Sequence, residues 1–129
     1  MNLVYVVLSL ALIQFVYFGF AVGGARGRYG VKAPATTGHE IFERYFRVQM
    51  NTLELLVVLV PALLLFAYYV SARWAAVLGA IYLVGRFVYF ASYTRAPEKR
   101  TLGFGLSFLP IVVLLVGGLI GAIASVVRG

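Results

Sequence analysis

Phe42-Glu43-Arg44-Tyr45-Phe46-Arg47-Val48-Gln49-Met50-Asn51-Thr52-Leu53-Glu54 runs directly into Leu55–Val70, a stretch without a single charge. That junction decides the fold. At 1.5 Å rise per residue the apolar part alone covers about 24 Å. With the preceding polar turns, a helix from about 40 to 70 is long enough to cross a bilayer core of roughly 30 Å. Pro61 falls inside it and is expected to kink it, which a membrane helix tolerates.

Working outward, Leu3–Val22 forms a first apolar run. The residues before it carry no Lys or Arg, and the run is longer than the hydrophobic region of a usual signal peptide, so it reads as a retained helix. Residues 23–39 read as a loop, because Gly23, Gly24, Gly27, Gly30, Pro34 and Gly38 are poor helix-interior residues. Thr36 or Thr37 is the expected cap of the second helix, and His39 a loop residue at its start. Ser71–Trp74 reads as a tight turn, followed by a third helix over about 75–93. A short basic loop with Pro97 leads to a fourth helix over about 102–127, with Pro110 as a second kink and Gly117, Gly121 and Ser125 as a small-residue packing stripe. The expectation is therefore an all-α membrane protein, a single domain over 1–129 built as a four-helix transmembrane bundle.

Composition agrees. Of 129 residues, 63% are hydrophobic and 12% charged, about half the charged fraction of a soluble domain. The net charge of +7 does not point to nucleic acid, because the basic residues sit between apolar runs, where positive loops meet anionic lipid. Eight of the eleven basic residues fall on one side: Arg26, Arg28, Lys32, Arg44, Arg47, Arg95, Lys99 and Arg100. That side is expected to be cytosolic, with both termini opposite. No cysteine is present, which excludes disulfides, thiolate ligands and a cysteine nucleophile. One histidine and four acidic residues offer few ligands for a dedicated metal site, and none is assigned.

Several polar residues stand where lipid-facing helices do not place them. Arg47, Asn51 and Glu54 follow i, i+4, i+7 spacing and share one helix face, while Gln49 points nearly opposite. On the third helix Tyr82, Arg86, Tyr89 and Tyr93 form a second stripe. Arg86 lies roughly 10 Å below the helix end and needs an acceptor, since a guanidinium does not escape by deprotonating. Glu54 is the only carboxylate well inside a span, so a Glu54–Arg86 ion pair tying two helices together is one expectation. A pocket for a small, multiply charged ligand is the other, favoured by the number of polar groups at one depth.

These residues also resemble a known family, the membrane-associated proteins in eicosanoid and glutathione metabolism. The resemblance rests on Thr-Thr-Gly at 36–38, Phe-Glu-Arg-x-x-Arg-x-Gln-x-Asn-x-x-Glu at 42–54, Gly-Arg-x-x-Tyr-Phe-x-x-Tyr-x-Arg at 85–95, and Arg100 beyond. It is nearest to the branch of microsomal glutathione transferases and leukotriene C synthase. It implies a homotrimer with glutathione bound as co-substrate between subunits near the cytosolic face. Arg47, Asn51, Glu54, Tyr89, Tyr93 and Arg100 would contact glutathione from one subunit, and Arg26 and Gln49 from its neighbour. Arg86 would support the site. Arg100 would act catalytically by stabilising the thiolate, and the second substrate would be a lipophilic electrophile from the bilayer. The implied activity is glutathione transfer, with peroxidase activity as a second use of the same site. A non-catalytic lipid-binding or scaffold protein on the same fold is the alternative. A small transporter subunit using Glu54 and Arg86 as an ion path has no motif behind it. Two positions depart from the synthase pattern: Leu55 replaces a tyrosine contact to glutathione, and Gly27 replaces a basic residue.

Overall fold

A computed structural model describes residues 1–129 as four long helices. Helix α1 spans Asn2–Tyr29, α2 Glu40–Tyr69, α3 Ala72–Arg95 and α4 Thr101–Arg128, with a short 3-10 turn at Pro97–Lys99 before α4. Each of the four is long and apolar enough to cross a membrane. Successive helices run in opposite directions, so the 30–39 connection and the 96–100 connection lie at the same end of the bundle, and the Val70–Ser71 turn lies at the other.

The first connection is shorter than the glycine content predicts. Helix α1 continues through Gly23, Gly24 and Gly27 to Tyr29. Its buried face persists through that stretch: Val22 and Ala25 pack with Val31 and Phe42 in a small core of their own. Tertiary contact thus outweighs a propensity deficit of about 1 kcal/mol per glycine. The helix stops at Gly30, in the left-handed conformation with φ 69°. Both Gly30 and Val31 then donate to the Arg26 carbonyl, which closes the helix end.

Helix α2 is capped by neither threonine. His39 Nδ1 accepts from the Ile41 amide at 3.1 Å, and the His39 ring stacks on Tyr29 with centroids 4.3 Å apart. The preceding glycine has φ 138°, and that bend carries the threonines away from the helix start. Ser71 caps α3 by accepting from the Trp74 amide at 3.2 Å, so α3 begins at Ala72. Helix α2 continues through Pro61 and α4 through Pro110.

The main core gathers Val4, Val7 and Ala11 of α1, Leu55, Leu59 and Leu63 of α2, Ala75, Ala76 and Tyr82 of α3, and Ile111 and Leu114 of α4. Lipid is as apolar as these side chains, so close backbone approach and polar bonds hold the helices together rather than water exclusion. Glycines provide the approach. A Cβ on Gly117 would meet the Phe66 ring and one on Gly121 would meet Tyr69, which sets α4 against α2. Gly85 faces the Leu106–Ser107 backbone and Gly103 faces the Tyr89 backbone, which sets α4 against α3.

Candidate functional site

Where α2, α3 and α4 meet near the end bearing the two longer connections, they enclose a cavity of about 650 Å³. Arg47 and Asn51 of α2 line it, one helical turn apart. Tyr89 and Tyr93 of α3 line it with their rings stacked, centroids 5.3 Å apart. Arg100, the residue just before α4, closes it together with Thr101, Phe104 and Gly105. Amides of the first turn of α4 lie beside Arg100, so helix end and guanidinium both favour an anion there.

Arg86 lies fully buried beside this cavity. Its Nε donates to Ser107 Oγ at 2.8 Å, and its Nη1 donates to Asn51 Oδ1 at 2.8 Å and Thr52 Oγ1 at 3.2 Å. Its guanidinium carbon sits 4.4 Å from the centroid of the Tyr89 ring. The ion pair with Glu54 does not form. The core face of α2 carries Val48, Thr52, Leu55 and Leu59, and Glu54, two residues from Thr52, points about 200° away from it. Glu54 instead approaches Arg47 at 3.6 Å, both side chains more than half exposed. Three neutral oxygens, rather than one carboxylate, hold Arg86.

Of the residues expected at the site, Arg47, Asn51, Tyr89, Tyr93 and Arg100 come together. Glu54 touches the group through Arg47. Arg26 and Gln49 do not line the cavity. Arg26 donates to the Ala35 carbonyl at 2.7 Å and lies 4.9 Å from the Phe42 ring centroid, while Gln49 packs over Gly19 of α1. Nothing from α1 lines the cavity. Leu55 is buried in the main core, and Gly27 faces open space.

Sequence reasoning missed Thr101, Phe104 and Gly105. Part of their signal was present, since Phe104 lies one turn after Arg100 and Gly105 one turn after Thr101. It also missed Thr52 and Ser107 as partners of Arg86. Ser107 is a lone hydroxyl in an apolar run, and Thr52 stands beside Asn51 in the polar stretch that opens α2, which is the trace they leave.

No set of histidine, cysteine or acidic side chains is grouped as a metal would need. The residues that line the cavity offer the chemistry of an anion site: two guanidiniums at the wall, a third beside it, an amide and two phenols. Fold and site together define a four-helix membrane protein with a cationic cavity at one end of its bundle. The model of the MAPEG family matches residues 3–120, and the chain belongs to that family. It is 48% identical over 112 residues to an uncharacterized protein of Synechocystis sp., covering 87% of this chain and 82% of that one. It is 38% identical to microsomal glutathione S-transferase 2 of Homo sapiens, covering 87% of this chain and 76% of that one. It is 31% identical to leukotriene C4 synthase of Cavia porcellus, covering 89% and 77%.

Proposed function

We propose that this chain is a membrane-embedded glutathione transferase, with peroxidase activity as a second use of the same site, acting on lipophilic electrophiles that arrive from the bilayer. The observation that carries the reading is the convergence of Arg47, Asn51, Tyr89, Tyr93 and Arg100 from three helices on one 650 Å³ cavity. Glutathione is a small molecule with two carboxylates, an ammonium and a thiol. Arg47 suits a carboxylate through a planar, charge-assisted fork. Glu54, close to Arg47, suits the ammonium. Arg100 faces the same cavity and stabilises the thiolate. A free thiol titrates near about 8.5, and an adjacent cation lowers that value, which raises the thiolate fraction at neutral pH. The thiolate sulfur then attacks an electrophilic carbon. The thiol proton passes to water, a C–S bond forms as the bond to the leaving group breaks, and the leaving group departs with the electron pair and is protonated by water.

The likeness to microsomal glutathione S-transferase 2 supports the same chemistry. In this reading the protein acts as a homotrimer. Arg26 and Gln49, which do not reach their own cavity, serve the cavity of a neighbouring subunit, and the basic connections face the cytosol.

Calorimetric titration of glutathione into detergent-purified protein, followed by turnover of a panel of electrophiles, tests the proposal. Binding with conjugation is the expected result. Binding without any turnover would favour the non-catalytic member of the fold, and no binding would remove the glutathione reading.

A further inference from the structure

The bonds around Arg86 have a direction. Thr52 Oγ1 donates its proton to the Val48 carbonyl at 2.8 Å, and Ser107 Oγ donates its own to the Gly103 carbonyl at 2.7 Å. Each hydroxyl therefore has only lone pairs to offer Arg86. A guanidinium accepts nothing, so the atom of Asn51 that meets Nη1 at 2.8 Å is necessarily the oxygen. No carboxylate pairs with Arg86, since the only ion pairs in the chain are Glu40–Arg44 and Arg47–Glu54. The guanidinium is held by oriented dipoles at Nε and Nη1 and by the face of the Tyr89 ring, with no carboxylate, and low local dielectric strengthens that orientation.

From this we infer that Arg86 is a positioning residue that fixes the Asn51 amide with its NH2 group toward the cavity. Asn51 is then an obligate donor beside Arg47. It recognises a hydrogen-bond acceptor on the ligand, a carboxylate or peptide carbonyl, and never the ammonium. Resting on the glutathione reading, this makes the wall formed by Arg47 and Asn51 a subsite for acceptor oxygens. Arg86 reaches the ligand only through the amide it turns.

Asn51→Asp separates the alternatives, because it keeps the acceptor that Arg86 needs and deletes the donor that the ligand needs. Thermal midpoint and glutathione affinity are measured on the detergent-purified parent, Asn51→Asp, Asn51→Ala, Arg86→Lys and the Arg86→Lys/Asn51→Ala double variant. The Asn51→Asp midpoint is expected at or above that of the parent, because the new carboxylate completes an ion pair. Its affinity is expected to fall at least about tenfold, as for a lost hydrogen bond to a charged group. Arg86→Lys keeps the charge but offers one nitrogen where two are used. It should weaken binding several-fold in the parent and by less than about twofold once Asn51 is alanine. Undiminished affinity in Asn51→Asp would overturn the donor assignment. An equal effect of Arg86→Lys in both backgrounds would overturn the positioning role. Should Arg86→Lys fail to fold, the Asn51→Asp pair of measurements decides alone. A parent that binds no glutathione overturns the functional reading, and a clear fall in the Asn51→Asp midpoint overturns the bond polarity independently of any ligand.

Discussion

A guanidinium inside a lipid-immersed bundle is an expensive group, and this chain contains one, Arg86, without a counter-charge. Its three oxygen partners come from α2 and α4, so one α3 side chain joins three helices. Arg100 is different in kind. It stands just before α4, faces the cavity and is exposed, and its worth lies in the charge it presents to a bound anion. Arg100→Ala should still bind glutathione but show much weaker thiolate absorbance in the complex. Losing a cation raises the thiol pKa, so activity that the parent shows near pH 7 should appear in the variant only as pH rises toward about 8.5. Arg47→Ala should lose affinity first. Conjugation by Arg100→Ala at the parental rate with saturating glutathione would show that another group activates the thiol.

Between elements, the contact of α3 with α4 builds the site. Gly103 lies against the Tyr89 backbone and Gly85 against the Ser107 backbone. Because the helices touch there, Ser107 reaches Arg86 and Phe104 comes within 6.3 Å of the Tyr89 ring, centroid to centroid. Helix propensity alone would make Gly103→Ala favourable by about 1 kcal/mol. The added Cβ instead collides with backbone that cannot move aside as a side chain could, at a cost of about 1–3 kcal/mol. Gly103→Ala is therefore expected to lower the unfolding midpoint in detergent and weaken glutathione binding together. Gly24→Ala, at a position with nothing within 4 Å of its Cβ, should not destabilise the protein. Equal midpoints for the two variants would show that the α3–α4 approach is not tight. Arg44 spans α2 and α3 at their shared end. It donates to the Thr94 and Arg95 carbonyls at 3.4 and 3.1 Å, where the last turn of α3 leaves acceptors free, and pairs with Glu40 at 2.8 Å.

At the scale of the whole molecule, eight of the eleven basic residues and the cavity share one end of the bundle, and the charge asymmetry predicts that this end is cytosolic. Reporter fusions in the 30–39 connection and at residue 129 should report opposite sides, with the connection in the cytosol. A cytosolic residue 129 would reverse the orientation. Assembly is a separate matter. Since α1 contributes nothing to its own subunit's cavity while Arg26 and Gln49 lie elsewhere, mixing subunits is informative. Oligomers combining Gln49→Ala with Arg47→Ala subunits should regain some glutathione sites, because a shared site can draw both intact residues from different chains. Mixtures that assemble but never regain binding would mean that each site belongs to one subunit.

Hydrophobic run length and charge placement are local properties, and they specified four spans and the end of the bundle that carries most of the charge. The helical repeat specified that Arg47 and Asn51 share a face of α2 and that Tyr89 and Tyr93 share a face of α3, and the family resemblance joined them with Arg100 in one expected site. What only the tertiary structure decided was pairing. Arg86 and Glu54 read as partners because they are opposite charges inside spans, yet the rotation of α2 in the bundle turns Thr52 and Asn51 toward α3 and leaves Glu54 outside. That rotation is set by how α2 packs on its neighbours, with Val48, Leu55, Leu59 and Leu63 against the other helices and Phe66 and Tyr69 against the glycines of α4, a condition imposed by those helices. The same applies to the end of α1, where packing of Val22 and Ala25 against Val31 and Phe42 carries the helix through glycines that local propensity would have made a loop.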